Sequence, residues 1–321
     1  MRILVTGGAG FIGSHLIERL LEEGHSVVAL DDLSTGSAKN LASVQSHTNL
    51  ELVQASMLDE TLVETLMAKV EGCIHLGAAL GVKRILERPY ESLIANTRGT
   101  EITVNAAAKN KVRYFLASTS ELYGKNPIQP LTEDSDRVIG SPQLVRWAYS
   151  EAKAIDESMV QMFRQSHGLD YVTGRFFNTV GPRQSGAYGM VLPRFVAAAI
   201  KGEPITVYGD GSQSRVFCHV SDAVDGVLRL FFDDRALGGA FNIGGEEEVS
   251  IGQLAKRVVA VTGSTSEIRN LPYDQAYPQG FEETMRRVPD TTKLRSLTGW
   301  KPQSSLDDII RDIQSYLRSH A

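Results

Sequence analysis

Short apolar stretches and amphipathic stretches alternate from the start of the chain. Residues 2–5 form an apolar stretch of strand length, and Leu16, Leu20 and Leu21 then recur at the spacing of one helix face. A second apolar stretch follows at residues 26–30. This pattern predicts a strand, a helix and a second strand.

The same alternation continues to about residue 177, which predicts a parallel sheet covered on both faces. Further predicted strands lie at 50–55, 72–78, 113–118 and 171–177, and predicted helices at about 59–70, 90–109 and 149–166. We therefore expect an α/β protein with a Rossmann-type doubly wound parallel sheet of six or more strands.

The pattern changes after Asn178, where the predicted elements become shorter. We predict a dinucleotide-binding Rossmann domain over residues 1–180 and a smaller C-terminal α/β region over 181–321 that carries substrate contacts. The chain is expected to rejoin the first domain over about 213–235. The later predicted elements are a strand at 215–220 and helices at 221–232 and 306–317.

Composition is typical of a soluble globular protein, at 321 residues with 42% hydrophobic and 22% charged side chains. Apolar runs stay shorter than the roughly 18 residues of a membrane span, so we expect a cytoplasmic protein without a membrane segment. The net charge of −5, without a cluster of Lys and Arg, argues against nucleic acid as a partner. Cys73 and Cys218 have apolar neighbours, so neither a disulfide nor a metal site is expected.

Three glycines follow the first predicted strand at a spacing of three residues. At Gly7, Gly10 and Gly13 the missing side chains permit a tight turn, a close approach of backbone amides to a pyrophosphate, and close packing of helix on strand. Asp31 and Asp32 end the second predicted strand, where a carboxylate can accept both ribose hydroxyls of NAD and would repel the 2′-phosphate of NADP. The sequence thus predicts an NAD site.

Two groups of polar residues are candidates for the chemistry. Tyr149 and Lys153 are four residues apart in a predicted helix, so they share a face, and the lysine charge would favour the phenolate that hydride chemistry needs as a base. Most such pairs form a solvated helix face, but the glycine fingerprint favours the catalytic interpretation. Thr119, Ser120 and Glu121 follow the fifth strand, at the sheet edge where doubly wound folds bind ligands.

Taken together, these motifs resemble the extended short-chain dehydrogenase/reductase family of NAD-dependent nucleotide-sugar epimerases, dehydratases and decarboxylases. The resemblance covers nearly the whole chain. Its further matches are residues 75–79, Asn96, and residues 175–178, 181–183, 208–215 and 242–245. It implies that Tyr149 is the catalytic base, that Lys153 is its partner and binds the nicotinamide ribose, and that Thr119 links Tyr149 to the sugar.

The resemblance also implies two sets of binding residues and an assembly. Cofactor contacts are expected at Gly7, Gly10, Phe11, Ile12, Gly13, Asp31, Asp32, Ser34, Leu76, Ala78, Asn96, Tyr149 and Lys153. Substrate contacts are expected at Asn178, Arg183, Arg215 and Arg287, of which Asn178 and Arg215 match positions that bind the nucleotide diphosphate. Residues 181–321 would then form the nucleotide-sugar-binding region, with a UDP-sugar as substrate. A homodimer is expected through helices at about 91–109 and 149–163.

Within this family, three local patterns are similar to those of the UDP-glucuronate decarboxylases. They are Thr119-Ser120-Glu121, the Arg-x-x-Tyr at 146–149, and the Arg-Val-Pro-Asp at 287–290, whose arginine would handle the departing carboxylate. The catalytic residues so implied are Thr119, Ser120, Glu121, Tyr149, Lys153 and Arg287. Glu121 and Ser120 are the candidates to protonate carbon 5 of the sugar.

The implied reaction is decarboxylation of UDP-glucuronate through a 4-keto intermediate, giving UDP-xylose or, with early release, UDP-4-keto-pentose. A 4-epimerase of a UDP-hexose or UDP-hexuronate would use the same Tyr149, Lys153 and NAD, and stays open. A non-catalytic NAD-binding sensor on the same fold is a more distant alternative. The chain departs from the family pattern at two points: Ala55-Ser56 stand where Gly-Asp is usual, and Gly77 replaces an alanine.

Overall fold

The computed structural model describes residues 1–79, 88–186, 190–276, 282 and 284–320. In the first part of the chain, long strands alternate with helices. These elements are β1 (Arg2–Thr6), α1 (Phe11–Glu22), β2 (Ser26–Asp31), β3 (Leu50–Gln54), α2 (Glu60–Met67), β4 (Gly72–His75), α3 (Pro89–Asn110), β5 (Arg113–Thr119), α4 (Ala148–His167) and β6 (Tyr171–Phe176).

The elements that follow are shorter. They are β7 (Thr179–Val180), α5 (Val191–Lys201), β8 (Ile205–Tyr208), β9 (Ser214–Val216), β10 (Cys218–His219), α6 (Val220–Phe231), β11 (Ala240–Ile243), β12 (Glu248–Ser250), α7 (Ile251–Thr262), β13 (Ile268–Leu271), α8 (Tyr273–Ala276), β14 (Arg286–Arg287), α9 (Thr292–Thr298) and α10 (Leu306–Ser319).

Seven parallel strands form the central sheet in the order β11-β6-β5-β4-β1-β2-β3. The predicted α/β class and Rossmann-type sheet are confirmed. The direction of strand addition reverses between β1 and β4, and in open parallel sheets the crevice at such a point is where ligands bind. The loops after β1, β4 and β5 therefore face the expected site.

Two apolar layers enclose this sheet, because its strands are buried on both faces. On one face, α1 buries Leu16, Ile17, Leu20 and Leu21 together with the apolar side of α6. On the other face, α2, α3 and α4 form a second buried layer. Each buried leucine contributes about 1.5–3 kcal/mol relative to an exposed one, so the helix spacing seen in the sequence fixes which faces pack inward. Across the described ranges, none of the helices combines the length and apolar character needed to span a membrane.

Three small sheets accompany the central one: β10-β7, β12-β9-β14 and β13-β8. Helices α5, α7 and α10 share an apolar core with them. In the three-stranded sheet, β12 runs antiparallel and β14 parallel to β9. This pairing brings residues near 287 next to residues near 215, although they are far apart in sequence.

The structure differs from the sequence pattern around residues 215–220. The predicted single strand is divided into β9, which pairs with β12 and β14, and β10, which pairs with β7. Phe217 between them packs into the C-terminal core, so the chain changes sheet at that residue. The central sheet also gains β11, which lies beyond the predicted return segment 213–235. The division into domains near residue 180 stays a prediction.

Candidate active site

The glycine turn joins β1 to α1 at the carboxyl edge of the central sheet. Gly7 adopts a φ of 67°, a conformation that favours glycine. A Cβ on Gly13 would lie 2.2 Å from the carbonyl oxygen of Gly7, so the first turn of α1 packs on the loop only without a side chain there. Among the described residues no side chain caps this helix. The amides of Phe11 and Ile12 at its first turn are thus suited to bind an anion.

Asp31 ends β2, and its carboxylate reaches the glycine turn. Its Oδ2 accepts a hydrogen bond from the Ala9 amide at 3.0 Å, and its Oδ1 accepts one from the Leu33 amide at 2.8 Å. Burial raises the pKa of Asp31, and these two hydrogen bonds offset part of that shift. Asp32 is exposed and accepts a hydrogen bond from the exposed Ser34 amide at 2.9 Å. Asp31 is therefore the acid that contacts the turn.

Asn96, on the buried side of α3, holds the segment that follows β4. Its Oδ1 accepts a hydrogen bond from the Ala79 amide at 2.8 Å, and its Nδ2 donates one to the Ala79 carbonyl at 3.3 Å. In the same segment, the Leu76 amide donates to the Thr6 carbonyl at 3.2 Å. Asn96 thus positions the backbone around Leu76 and Ala78, and cofactor contact by these side chains stays a prediction.

Tyr149 lies in the first turn of α4, near the carboxyl end of β5. Burial raises the pKa of Tyr149 well above its ordinary value, and the charges of Glu121 and Asp156 raise it further. A hydrogen bond with Thr119 acts in the opposite direction. The phenol is therefore held protonated in this state, and it needs a nearby positive charge to act as a base. Lys153, one helical turn away, is the side chain that can supply that charge.

The Lys153 ammonium forms a buried ion pair that the sequence analysis did not anticipate. Its Nζ lies 3.0 Å from Oδ2 of Asp156, and the two side chains are 2% and 0% exposed. Burial raises the pKa of Asp156, while Lys153 and a hydrogen bond with Thr100 oppose that shift. The sequence did contain a signal, since an acid three residues after a lysine in a helix lies on the same face.

Glu121 lies between two arginines just after β5. Arg287 Nη1 is 2.5 Å from Oε1 of Glu121, and Arg146 Nη2 is 2.7 Å from Oε2. Arg287 Nη1 also lies 3.3 Å from the Ser120 hydroxyl. Burial alone would raise the pKa of Glu121, but the charges and hydrogen bonds of the two arginines outweigh it and lower the pKa to about 2. At neutral pH this arginine cluster carries two positive charges and one negative charge.

A further arginine lies beside Arg287. Because β14 pairs with β9, Arg287 is the register partner of Arg215, and the two residues are 6% and 8% exposed. Arg215 donates a hydrogen bond to the Ser214 carbonyl at 2.7 Å. Arg287 already pairs with Glu121, so the two guanidinium groups are not alike in their surroundings. Both are of the type that binds anionic ligands, and they lie side by side.

The remaining predicted substrate residues lie in two different places. Asn178 donates from Nδ2 to the Val216 carbonyl at 2.8 Å, so its amide is held against β9, near Arg215. Arg183 forms an ion pair with Glu18 of α1 at 2.7 Å. The structure therefore brings Asn178 to the strand that carries Arg215, and it places Arg183 at the helix that follows the glycine turn.

Comparison with known families gives the chain its relatives. A family model described as GDP-mannose 4,6 dehydratase matches residues 4–313. The chain belongs to this family. The predicted kinship with nucleotide-sugar epimerases, dehydratases and decarboxylases is thereby confirmed, and so is the prediction of an enzyme.

Members of the family that are similar to this chain act on nucleotide sugars. UDP-N-acetyl-alpha-D-glucosaminuronate decarboxylase of Bacillus cytotoxicus is 38% identical over 99% of this chain and 98% of its own length. UDP-glucuronic acid decarboxylase 1 of Xenopus tropicalis is 35% identical over 99% of this chain and 72% of its own. UDP-glucuronic acid 4-epimerase from Bacillus cereus, solved with UDP-glucuronic acid and NAD, is 25% identical over 100% of both chains, with a TM-score of 0.90. This chain is thus a nucleotide-sugar modifying enzyme.

The two departures from the family pattern, at residues 55–56 and at Gly77, both lie near Met57. A Cβ on Gly77 would lie 2.8 Å from the Met57 sulfur, and a Cβ on Gly99 would lie 2.6 Å from its methyl carbon. Gly77, in place of the usual alanine, leaves room for this side chain. Ser56, in place of the usual aspartate, accepts a hydrogen bond from the Leu58 amide at 3.2 Å and so stabilises the turn before α2.

Proposed function

We propose that this enzyme is an NAD-dependent decarboxylase of a UDP-hexuronate, with UDP-glucuronate as the first candidate substrate. The observation that supports this is the arginine cluster, in which Arg146 and Arg287 both pair with Glu121 close to Tyr149. The cluster has a net positive charge in a poorly accessible place, and a sugar carboxylate would compensate it where a neutral hexose would not. The two decarboxylases reported above act, by their names, on uronates.

The glycine turn and Asp31 fit the dinucleotide that this proposal requires. Gly13 leaves the helix start open to a pyrophosphate, and Asp31 lies beside the turn where the adenosine ribose would bind. NAD would thus be held by the backbone of Gly7, Gly10, Phe11, Ile12 and Gly13, by Asp31, and by the further predicted contacts Asp32, Ser34, Leu76, Ala78, Asn96, Tyr149 and Lys153. When bound, NAD accepts a hydride from carbon 4 of the sugar.

Tyr149 supplies the base for that oxidation. Its phenolate takes the proton of the sugar 4-hydroxyl as the 4-ketone forms, and the Thr119 hydroxyl, which lowers the pKa of Tyr149, would link the ring to the sugar. Lys153 supplies the positive charge that stabilises the phenolate. The ketone then lies β to the carboxylate on carbon 5, and acids of this kind lose carbon dioxide readily.

Arg287 and Arg146 would hold the carboxylate before the bond to carbon 5 breaks. The electron pair left on carbon 5 spreads onto the 4-keto oxygen, and a proton then adds to carbon 5. Glu121 has a pKa of about 2, so it carries no proton to donate at neutral pH. Ser120 is therefore the favoured candidate to relay a proton from water to carbon 5. Reduction of the ketone before release gives UDP-xylose, and release of the ketone gives UDP-4-keto-pentose.

Arg215 and Asn178 are proposed to bind the diphosphate of the nucleotide. Arg215 is buried beside Arg287, so a substrate that places its diphosphate on Arg215 can present its uronate carboxylate to Arg287. Arg183 stays a predicted substrate contact, and its ion pair with Glu18 would have to open or to turn outward for that role.

A 4-epimerase of a UDP-hexuronate is the second candidate. The same arginine cluster would compensate the carboxylate, which an epimerase retains, and the Bacillus cereus 4-epimerase shares the whole fold. The two reactions share the oxidation at carbon 4. They differ in the fate of the 4-keto sugar. In the decarboxylase it loses carbon dioxide, and in the epimerase it rotates within the site before the hydride returns.

The first experiment incubates the purified protein with NAD and UDP-glucuronate, and in parallel with UDP-N-acetylglucosaminuronate. Carbon dioxide release and product mass are followed. A product lighter by one carbon dioxide indicates release of the pentose, and a product lighter by a further two hydrogens indicates release of the 4-keto-pentose. Either mass supports the decarboxylase. An isomer of unchanged mass supports the epimerase. Turnover of neutral UDP-hexoses alone would contradict both.

Replacement of the base gives a second test. Tyr149→Phe removes the hydroxyl that takes the proton, so kcat is expected to fall by about 10²–10⁴-fold or more while NAD stays bound. Tyr90→Phe, at an exposed position of α3, is the matched control and should keep normal turnover. Near-normal activity of Tyr149→Phe would show that another group is the base.

We further propose a homodimer formed through α3 and α4. Exposed apolar side chains lie on both helices: Tyr90 and Ile94 on α3, and Ile155 and Met162 on α4. A second copy of the same helix pair would cover them, since a twofold axis brings identical patches together. The cytoplasmic location stays a prediction.

A further inference from the structure

We propose that Asp156 is a positioning residue that holds the Lys153 ammonium and thereby sets the pH range in which Tyr149 works as a base. The inference rests on the proposed function only in taking Tyr149 as the base. Here a third charge, one turn further along α4, belongs to the same unit.

Asp156 and Lys153 form an ion pair that is closed off from solvent. Its carboxylate is 0% exposed and lies 3.0 Å from Lys153 Nζ, while Lys153 itself is 2% exposed. A charge in such a place is costly unless a partner compensates it. Each side chain therefore needs the other as its counter-charge. The Lys153 ammonium interacts with Asp156 on one side and is proposed to stabilise the Tyr149 phenolate on the other.

Polar side chains continue from Asp156 into the central sheet. Thr100 of α3 is one of the groups that lower the pKa of Asp156, and its hydroxyl lies 3.3 Å from Nε2 of His75. Nδ1 of His75 lies 2.8 Å from the Thr6 hydroxyl, which accepts a hydrogen bond from the Gly77 amide. This buried column joins α4 to the loop after β4. Asp156 thus lies next to a polar column inside the fold, and its ion pair with Lys153 is the contact that fixes its carboxylate.

Several charged and titratable groups lie near the Lys153–Asp156 pair, and their charges affect the protonation of Tyr149. Burial lowers the pKa of His75 to about 3, and Lys153 contributes to that shift, so the imidazole is neutral. The negative charge of Glu121 acts on Tyr149 but is compensated by its arginines. The groups that interact electrostatically with the pair or with Tyr149 are His75 of β4, Tyr114 of β5, Glu121 after β5, and Glu157 of α4.

Removal of the Asp156 charge acts on Tyr149 in one direction. The Tyr149 phenolate loses a repelling negative charge, so the pKa of Tyr149 falls. Seven residues of helix separate Tyr149 from Asp156, about 10 Å along the axis, and at the effective dielectric of protein sites a charge at that distance shifts a pKa by about one unit. The range of pH that supports catalysis therefore moves toward acid.

The test compares pH profiles of kcat for the wild type and Asp156→Asn, an isosteric change that removes the charge. We expect the acidic limb of the variant's profile, which deprotonation of Tyr149 sets, to move by about one pH unit toward acid. Glu151→Gln is the matched control: it removes a negative charge from the same helix, but Glu151 is exposed and pairs with Arg137 on the surface. Its profile should coincide with that of the wild type. An unchanged profile for Asp156→Asn would overturn the proposal.

A second readout needs no sugar substrate. In NAD-loaded enzyme, ionisation of Tyr149 is followed by the ultraviolet absorbance of the tyrosine phenolate, as the difference from Tyr149→Phe. The Asp156→Asn midpoint should lie below that of the wild type. A shifted midpoint in a protein that turns over no UDP-hexuronate would leave this inference standing and reject the proposed substrate. An unshifted midpoint would reject the inference whatever the substrate.

Because Asp156→Asn leaves Lys153 buried without a counter-charge, it could fail to fold. The double variant Lys153→Met with Asp156→Ala removes both charges, and it should fold when Asp156→Asn does not. Recovery of the folded state in the double variant supports the pairing. Equal loss of structure in both would show that Asp156 serves packing alone and would overturn the proposal.

Discussion

Arg287 and Arg286 are adjacent in β14, and the alternation of a strand gives them different surroundings. Arg287 is buried and pairs with Glu121, whereas Arg286 is exposed and pairs with Glu248 at 2.7 Å. Both residues are arginines, and both lie in β14. Any difference between their variants therefore reports the site and not the strand.

Arg287→Met is expected to lower kcat/KM for a UDP-hexuronate by about 10²-fold or more, because it removes a cation that would hold the carboxylate. Arg286→Met should stay within about twofold of the wild type, since exposed ion pairs contribute about 1 kcal/mol or less. Steady-state kinetics with both variants provide the comparison. Similar losses in the two would contradict the assignment of Arg287 to the carboxylate.

Gly13→Ala tests the glycine turn. The added Cβ would lie 2.2 Å from the Gly7 carbonyl oxygen, so the loop must move away from α1, at a cost of about 1–3 kcal/mol in the free energy of unfolding and with loss of bound NAD. Gly252→Ala is the control, because its Cβ would lie 3.4 Å from the nearest atom, within a helix that favours alanine. Urea unfolding and the NAD content of the purified proteins measure both effects. A Gly13→Ala protein that retains NAD would contradict the predicted pyrophosphate site.

At the scale of elements, α3 and α4 combine two functions in one helix pair. Their inner faces carry Asn96, Tyr149 and Lys153, and their outer faces expose apolar side chains. Burial of these exposed apolar side chains against a second copy would provide stabilisation that they lack in a monomer.

The double variant Ile155→Glu with Met162→Glu is expected to be monomeric where the wild type is dimeric, because it places two like charges on each side of the proposed twofold axis. Ile128→Glu, at an exposed position away from these helices, should leave the assembly unchanged. Sedimentation velocity at micromolar concentration distinguishes the species. A monomeric wild type would remove the basis of this proposal.

At the scale of the whole molecule, the ion pairs of Glu121 make stability depend on pH. The pKa of Glu121 is about 2 in the folded protein and has an ordinary value of 4.5. A group with a lowered folded-state pKa stabilises the protein above its ordinary pKa, and the stabilisation is lost as the pH falls toward the folded-state value. Each unit of difference corresponds to about 1.4 kcal/mol.

The free energy of unfolding is therefore expected to fall as the pH decreases from about 4.5 toward 2, and Glu121→Gln should lack this part of the decrease. Urea unfolding at stepped pH, for both proteins, gives the two slopes. Parallel slopes would show that the two arginines do not hold the pKa of Glu121 low in the folded protein.

The sequence alone determined the central architecture of this protein. Strand and helix periods repeat from residue 2 to about 177, and they are local signals that need no knowledge of distant partners. The glycine fingerprint, Asp31, and the spacing of Tyr149 and Lys153 are also local, which is why these residues could be named in advance. The family resemblance supplied Arg215 and Arg287.

Only the tertiary structure decided how the distant parts meet. β11 is four residues long and joins the sheet through a partner far away in sequence, so no local period marks it. The pairing of β14 with β9 brings Arg287 next to Arg215. The fold also places Glu121 between Arg287 and Arg146, which come from distant parts of the chain. The burial that makes Asp156 a partner of Lys153 arises from the packing of α3 and α4 on the sheet. The burial of a side chain and the charges around it depend on its neighbours in space. Those neighbours come from distant parts of the sequence, so they are known only once the complete fold is known.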